Sequence, residues 1–188
     1  MKPELLTERL VLRAYRAKDA SVVSDAIEES RAALERWTPE IATRRSVTDV
    51  AAGLAGLQNA WLSRRKLVYG MFERSDECFV GEVGLYTIDW GARAATVGAW
   101  LRETARGRGL AREGFAALIG HAVHELGLER LDAHVHPANA HSRRLVEQVG
   151  LQVAGTVTGT AARFGSDGDV LLYRFDSAGG AISPGLGT

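Results

Sequence analysis

The chain has 188 residues, 46% hydrophobic and 24% charged, which suits one globular domain that can bury a core without covalent staples. Its 23 basic residues balance 23 acidic ones, so no global field recruits nucleic acid or a membrane surface. The single cysteine, Cys78, excludes an internal disulfide framework and points to a reducing cytoplasm. No apolar signal core follows Lys2-Pro3-Glu4, and no apolar run approaches membrane-spanning length. The lysines are Lys2, Lys18 and Lys66; the other basic residues are arginines, which grip phosphate and carboxylate bidentately, so a local cluster can matter at zero net charge.

In chain order, alternation of apolar and polar residues predicts a strand at about 9–15. Asp19 then offers a helix N-cap before Val22, Val23, Ala26 and Ile27, which recur at helical spacing. Residues 30–47 hold Trp37, Pro39 and Ser46 with weak periodicity and predict a short helix followed by a loop. Thr48 is the expected cap of a helix carrying Val50, Leu54, Leu57 and Trp61 on one face, weakened by Gly53 and Gly56. Strands are expected at 66–72, 79–89 and 95–101, with a polar turn at 73–77 and a tight connection at 90–93. A helix follows at about 110–126, ended by Gly127, with Phe115, Leu118, Ile119, Ala122, Val123 and Leu126 as its apolar stripe. His121 and His124 fall on its polar side. Then come a strand at 130–136 stopped by Pro137, a helix at 140–149 capped by Gly150, and a closing hairpin of 151–157 and 170–176 with a long turn. The glycine-rich tail, 177–188, is expected to be disordered. This order gives a mixed α/β sheet with helices on both faces, in one domain over 1–176. Its strands at 95–101 and 130–136 are parallel, because a crossover helix joins them.

The segment Arg106-Gly107-Arg108-Gly109-Leu110-Ala111 leads from strand to helix. Glycines let backbone amides approach a ligand, and a helix N-terminus attracts phosphate. Three-glycine dinucleotide spacing is lacking, and no Gly-Lys-Ser/Thr follows, so neither common nucleotide motif fits. Spacing alone leaves both a phosphate cradle and a turn with solvated arginines open.

The segment resembles the acetyl-CoA motif of the GNAT superfamily of N-acetyltransferases, Arg/Gln-x-x-Gly-x-Gly/Ala, with Arg106, Gly109 and Ala111 at its defined positions. Leu6-Thr7-Glu8-Arg9-Leu10-Val11-Leu12-Arg13 with Asp19-Ala20, and Asn139-Ala140-His141-Ser142 with Glu147-Gln148-Val149-Gly150-Leu151, are similar to blocks of its RimJ/RimL branch. The resemblance spans about 1–176. It implies that the strand before the cradle splays from its parallel neighbour, and that the pantetheine arm of acetyl-CoA lies in the gap against backbone near Trp100, Leu101 and Arg102. It implies an oxyanion donor in the amide near Leu101, and pyrophosphate on Arg106 through Ala111. Asn139 and Ser142 would face the coenzyme, with Ser142 as proton donor to sulfur; the alternative is that Asn139 caps the helix and Ser142 bonds backbone.

The general base is where the chain departs from the branch, which commonly reads Glu-Ile-Gly-Tyr-Trp-Leu before the cradle. Here the strand reads Thr96-Val97-Gly98-Ala99-Trp100-Leu101, and threonine is no base at neutral pH. Glu82 on the adjoining strand is the nearest replacement, with Asp89 and Asp132 behind it; a solvated Glu82, with water taking the proton, is the alternative. The five histidines lack a completing ligand, so no metal is expected. His134 and His136 can line the acceptor cleft, Trp37 sits where similar proteins cover the acceptor, and Arg143-Arg144 can reach coenzyme phosphates. The expected activity is acetyl-CoA-dependent transfer to a primary amine in the cytoplasm. A protein N-terminal α-amine of ribosomal-protein type leads. A small amine, such as an aminoglycoside or an amino-acid conjugate, is one alternative; a non-catalytic acyl-CoA-binding or regulatory module is the other. The resemblance also raises a homodimer.

Overall fold

A computed structural model of the chain describes residues 2–158 and 168–177. Nearly all of the expected disordered tail lies outside the described residues, as does most of the long turn of the closing hairpin. Eight strands form one sheet: β1 (Glu4–Leu6), β2 (Leu10–Arg13), β3 (Leu67–Glu73), β4 (Phe79–Asp89), β5 (Ala94–Leu101), β6 (Arg130–Val135), β7 (Gln152–Val157) and β8 (Val170–Asp176). The order across the sheet is β1-β2-β3-β4-β5-β6-β8-β7. Every described pair is antiparallel except β5 with β6.

Alternation sends each strand's side chains to two faces. On the first face, Tyr69, Met71, Val83, Leu85, Val97 and Leu131 pack against α5 (Leu110–His124), whose Phe115, Leu118 and Ala122 are buried beneath them. On the second, Val68, Phe72 and Trp100 pack with Val23 and Ile27 of α1 (Ala20–Glu29) and Val50 and Leu54 of α4 (Val47–Leu62). Helix α1 lies on β4 and α4 on β3. Past them, Thr96, Gly98, Asp132, His134 and Leu172 remain only half-buried, so this face is open beside β5, β6 and β8.

Several local expectations change. The first strand is shorter than 9–15, and β1 precedes it, paired Glu4 to Arg13 and Leu6 to Val11. Asp19 stands at the N-cap of α1 as expected, but its side chain makes no cap bond: its carboxylate accepts from the Arg13 guanidinium at 2.7 and 2.9 Å and from the Arg16 amide, after a 3₁₀ turn at Ala17–Asp19. Ser46, not Thr48, caps α4: its hydroxyl accepts from the Asp49 amide and the Asp49 carboxylate accepts from the Ser46 amide, a reciprocal box. Residues 30–47 hold two helices, α2 (Arg31–Trp37) and α3 (Pro39–Ala42). Pro39 pushes Thr38 out of the helical region, to φ −148°, and starts the second helix. His121 is buried rather than polar-facing, edge-on to Tyr69, because α5 is packed on more than one stripe.

Candidate active site

Helix α5 is the crossover between β5 and β6, so those strands run parallel and end at the same edge of the sheet. They pair only through Ala94–Arg130, Ala95–Leu131 and Thr96–Asp132. Beyond Thr96, β5 stays paired with β4 as far as Leu101–Gly81, while β6 stays paired with β8 as far as Val135–Leu171. The strands therefore splay, and β5 from Val97 onward has a free edge in a V-shaped gap. The Arg102 amide donates to the Val80 carbonyl at 3.0 Å, so it points to β4. Successive amides alternate, so Trp100 also points to β4, whereas Ala99 and Leu101 point into the gap. This narrows the expected Trp100–Arg102 contact. The Trp100 ring packs 5.8 Å from Phe79 in the second core. The Arg102 guanidinium binds Glu29 and the Phe79 carbonyl, and draws the Glu29 carboxyl down to about 2. Of the three, Leu101 alone presents backbone to the gap.

The cradle follows a 3₁₀ turn at Glu103–Ala105. Buried Ala105 and Leu110 pin its two ends. Gly107 and Gly109 sit at φ +74° and +77°, with Gly109 the N-cap of α5, so the glycines serve backbone conformation and leave the helix's first amides bare. No atom lies within 4 Å of a Cβ built at Gly107. Both cradle arginines meet carboxylates: Arg108 bidentately with Glu73 at 2.7 Å, Arg106 more loosely with Glu103 at 3.4 Å. Arg9 donates to the Arg108 carbonyl at 2.9 Å and, by Nε, to buried Glu113 at 2.6 Å; Thr7 Oγ1 and the Arg9 amide donate to the same carboxylate. Burial pushes the Glu113 carboxyl up, but these hydrogen bonds outweigh it and hold it below its ordinary value. The N-terminal block thus clamps the cradle from outside it.

Across the gap, β6 ends at Val135 and leads into α6 (Ala140–Gln148). Asn139 Oδ1 accepts from the Ser142 amide at 3.1 Å, so Asn139 caps the helix as one alternative held. The half-buried Ser142 hydroxyl makes no hydrogen bond among the described residues, so it does not bond backbone. Trp37, at the end of α2, lies against His136 with ring centroids 5.5 Å apart, which brings α2 to the β6–α6 loop. Arg143 donates to Tyr173 Oη and the Pro137 carbonyl, each at 3.3 Å, whereas Arg144 is exposed.

On the second face, Glu82 of β4 is 4% exposed, so the solvated alternative fails. Its carboxylate accepts from Tyr15 Oη at 2.8 Å and Tyr86 Oη at 3.1 Å. Burial raises its pKa, against the lowering effect of both tyrosines and of Arg44. Tyr86 lies over two glycines: a Cβ at Gly84 would come within 3.1 Å of its ring, and one at Gly98 within 3.4 Å. Sequence reading missed both tyrosines, although Glu82, Gly84 and Tyr86 share one face by alternation. Thr96 pairs across to Tyr86 on one side and Asp132 on the other. Asp132 is held bidentately by Arg174 at 2.8 and 3.0 Å. Asp89 caps the Ala92 amide in the β4–β5 turn, at the far end of β4 from Glu82. Among the described residues, no group of three or more His, Cys, Asp or Glu side chains converges as a metal site.

Residues 9–152 match the acetyltransferase (GNAT) domain family. The Bacillus subtilis probable N-acetyltransferase YjcK is 35% identical over 88 residues, 46% of this chain and 49% of that protein, so the match spans about half of that relative. The Escherichia coli [ribosomal protein uS5]-alanine N-acetyltransferase is 24% identical over 156 residues, 82% of this chain and 80% of that one. The structure of Mycobacterium smegmatis RimJ in complex with CoA-disulfide superposes with a TM-score of 0.82 at 25% identity, covering 94% of this chain and 85% of the other. With the splayed strand pair and the glycine cradle in place, the conclusion is plain: this chain is a member of the GNAT acetyltransferase family.

Proposed function

We propose that this enzyme transfers the acetyl group of acetyl-CoA to the α-amine at the N-terminus of a protein, in the cytoplasm. The observation that carries the reading is the free edge of β5 meeting the bare N-terminus of α5. A linear coenzyme with an amide-bearing arm and a pyrophosphate matches those two features in that order. The choice of a protein acceptor rests on the relatives named for ribosomal proteins.

When bound, acetyl-CoA supplies the thioester that the amine attacks. In this reading Ala99 and Leu101 pair with the pantetheine arm, and the Leu101 amide donates to the thioester oxygen. The amides of Gly107, Gly109, Leu110 and Ala111 hold the pyrophosphate, with Arg106 and Arg108 beside them. Asn139 orders the start of α6, and Ser142 Oγ gives its proton to the departing sulfur and regains one from solvent, to which Glu82 in turn releases the amine's proton. Glu82 takes the amine's proton. Both Glu82 oxygens accept from tyrosines, so the proton passes through Tyr86: the amine's N–H proton moves to Tyr86 Oη as the Tyr86 O–H proton moves to Glu82. A raised pKa brings that carboxylate nearer the operating pH, as a base requires.

Thiol release from acetyl-CoA, measured with N-terminal peptides, free amino-acid conjugates and aminoglycosides, tests the reading. Turnover on peptides is the expected result. Turnover confined to the small amines, or coenzyme binding with no turnover on any amine, overturns it.

A further inference from the structure

A cleft of about 790 Å³ lies between α4 and the far end of β4. Its cationic walls are Arg44, Arg65 and Lys66; its one acidic side chain is Asp89, whose Oδ1 already accepts from the Ala92 amide at 2.8 Å. Three cations against engaged Asp89, with the buried Glu82 carboxylate in electrostatic reach of Arg44 and Lys66, leave the lining net positive, although the whole chain is neutral. No carboxylate forms a salt bridge with Arg44, Arg65 or Lys66 among the described residues, in contrast to Arg9, Arg13, Arg102 and Arg108. Among the described residues the Arg65 guanidinium donates only to Ser63 Oγ, and Lys66 sits 5.8 Å from the centroid of the Tyr86 ring. The α4 wall is lowered by glycine: no atom lies within 4 Å of a Cβ at Gly56, and a Cβ at Gly53 would meet the Arg44 guanidinium at 2.9 Å. The two glycines that weaken α4 as a helix thus make room for Arg44 and for a ligand. Trp90 supplies a flat apolar wall, with Arg64 stacked 4.1 Å from its ring centroid.

We infer that this cleft is an anion subsite of the acceptor site, so that the acceptor is a polypeptide N-terminus with acidic side chains a few residues after its amine. The inference rests on the α-amine reading above. Thr87 and Ile88 line the cleft five and six residues along β4 from Glu82, which is roughly 16–20 Å of strand. An extended segment covers that span with an acidic side chain at about its fifth to seventh position. Unpaired guanidinium and ammonium groups recognise carboxylates there, and discriminate against basic partners by repulsion.

The test compares acetylation of three peptides that differ only at positions five to seven, carrying Asp/Glu, Asn/Gln or Lys, with the full-length protein. The acidic peptide is expected to show a KM about tenfold lower than the neutral one, shrinking as salt rises. In the Arg44→Ala and Lys66→Ala variants that ratio falls toward one. Gly56→Glu, which adds a negative charge where there is room and removes a helix-weakening glycine, is expected to invert the preference. Equal KM values for acidic and neutral peptides, with transfer proceeding, overturn the subsite and leave the α-amine reading intact. Should no peptide be acetylated, anisotropy of labelled peptides on the coenzyme A-loaded protein decides separately. Preferential binding of the acidic peptide, lost in Arg44→Ala and Lys66→Ala, supports the subsite; equal binding of all three overturns it.

Discussion

The two sides of β5 are built from different materials. Toward β6 the chain presents backbone: the Ala99 and Leu101 peptides, two left-handed glycines and a helix N-terminus. Toward α1 and α4 it presents side chains: Glu82 between two tyrosines, Thr96 beside Asp132, and a cleft of unpaired cations. Under the proposed function, backbone holds the coenzyme and side chains choose the acceptor. The coenzyme side is also braced from afar, with Glu113 gripping Thr7 and Arg9, and Glu29 gripping Arg102 and Thr104.

Substitutions on each side should separate coenzyme binding from chemistry. Ser142→Ala is expected to lower kcat by about 100-fold or more with coenzyme affinity retained, measured by thiol release and by calorimetry; an unchanged rate removes Ser142 from the reaction. Glu82→Gln should cost a similar factor and alter the pH profile. For the parent enzyme kcat/KM is expected to rise with pH through the raised pKa of Glu82, because only the carboxylate accepts a proton, and again as the acceptor α-amine loses its proton at about 8; the variant should lose the first limb. Gly109→Val forces a β-branched residue to φ +77° and should weaken coenzyme A binding about tenfold, with little effect on acceptor discrimination.

Two smaller effects probe the braces. Glu113→Gln keeps the shape and removes the charge that binds Arg9, which should cost about 2 kcal/mol and lower Tm by about 4–8 °C. Glu29 has a folded pKa of about 2 against an ordinary 4.5, so its contribution to stability is complete above about 4.5 and is lost as pH falls through 2. Acid titration of Glu29→Gln should therefore show a shallower loss of stability over that window than the parent chain. Glu82 has the opposite sign: its pKa is raised, so its ionisation lowers stability as pH rises from about 4.5 through its folded value.

The backbone half was the more legible in sequence. The β5–α5–β6 crossover lies within one or two residues of its expected bounds, because its strands alternate, its helix carries an unbroken stripe and Gly127 stops it. β1 was missed because three residues, with Leu6 exposed, leave too short a pattern. The Ser46 cap competed with Thr48 two residues on, and Asp49 at the third helical position was the deciding signal. The Glu82–Tyr15 contact joins residues 67 apart, which no local pattern reports. Tyr86 was within reach, since Gly84 and Gly98 are the vacancies over which its ring lies. The cleft was not legible, because it depends on cations from two segments, Arg44 and Arg65-Lys66, that form no salt bridge among the described residues.

The central claim is that the free edge of β5 receives the coenzyme. Residue-resolved amide hydrogen exchange with and without coenzyme A tests it most directly. The Ala99 and Leu101 amides should exchange quickly alone and slow markedly on coenzyme addition, whereas those of Trp100 and Arg102, already bonded to β4, should be slow in both states. Unchanged exchange at Ala99 and Leu101 with coenzyme A bound would contradict the account.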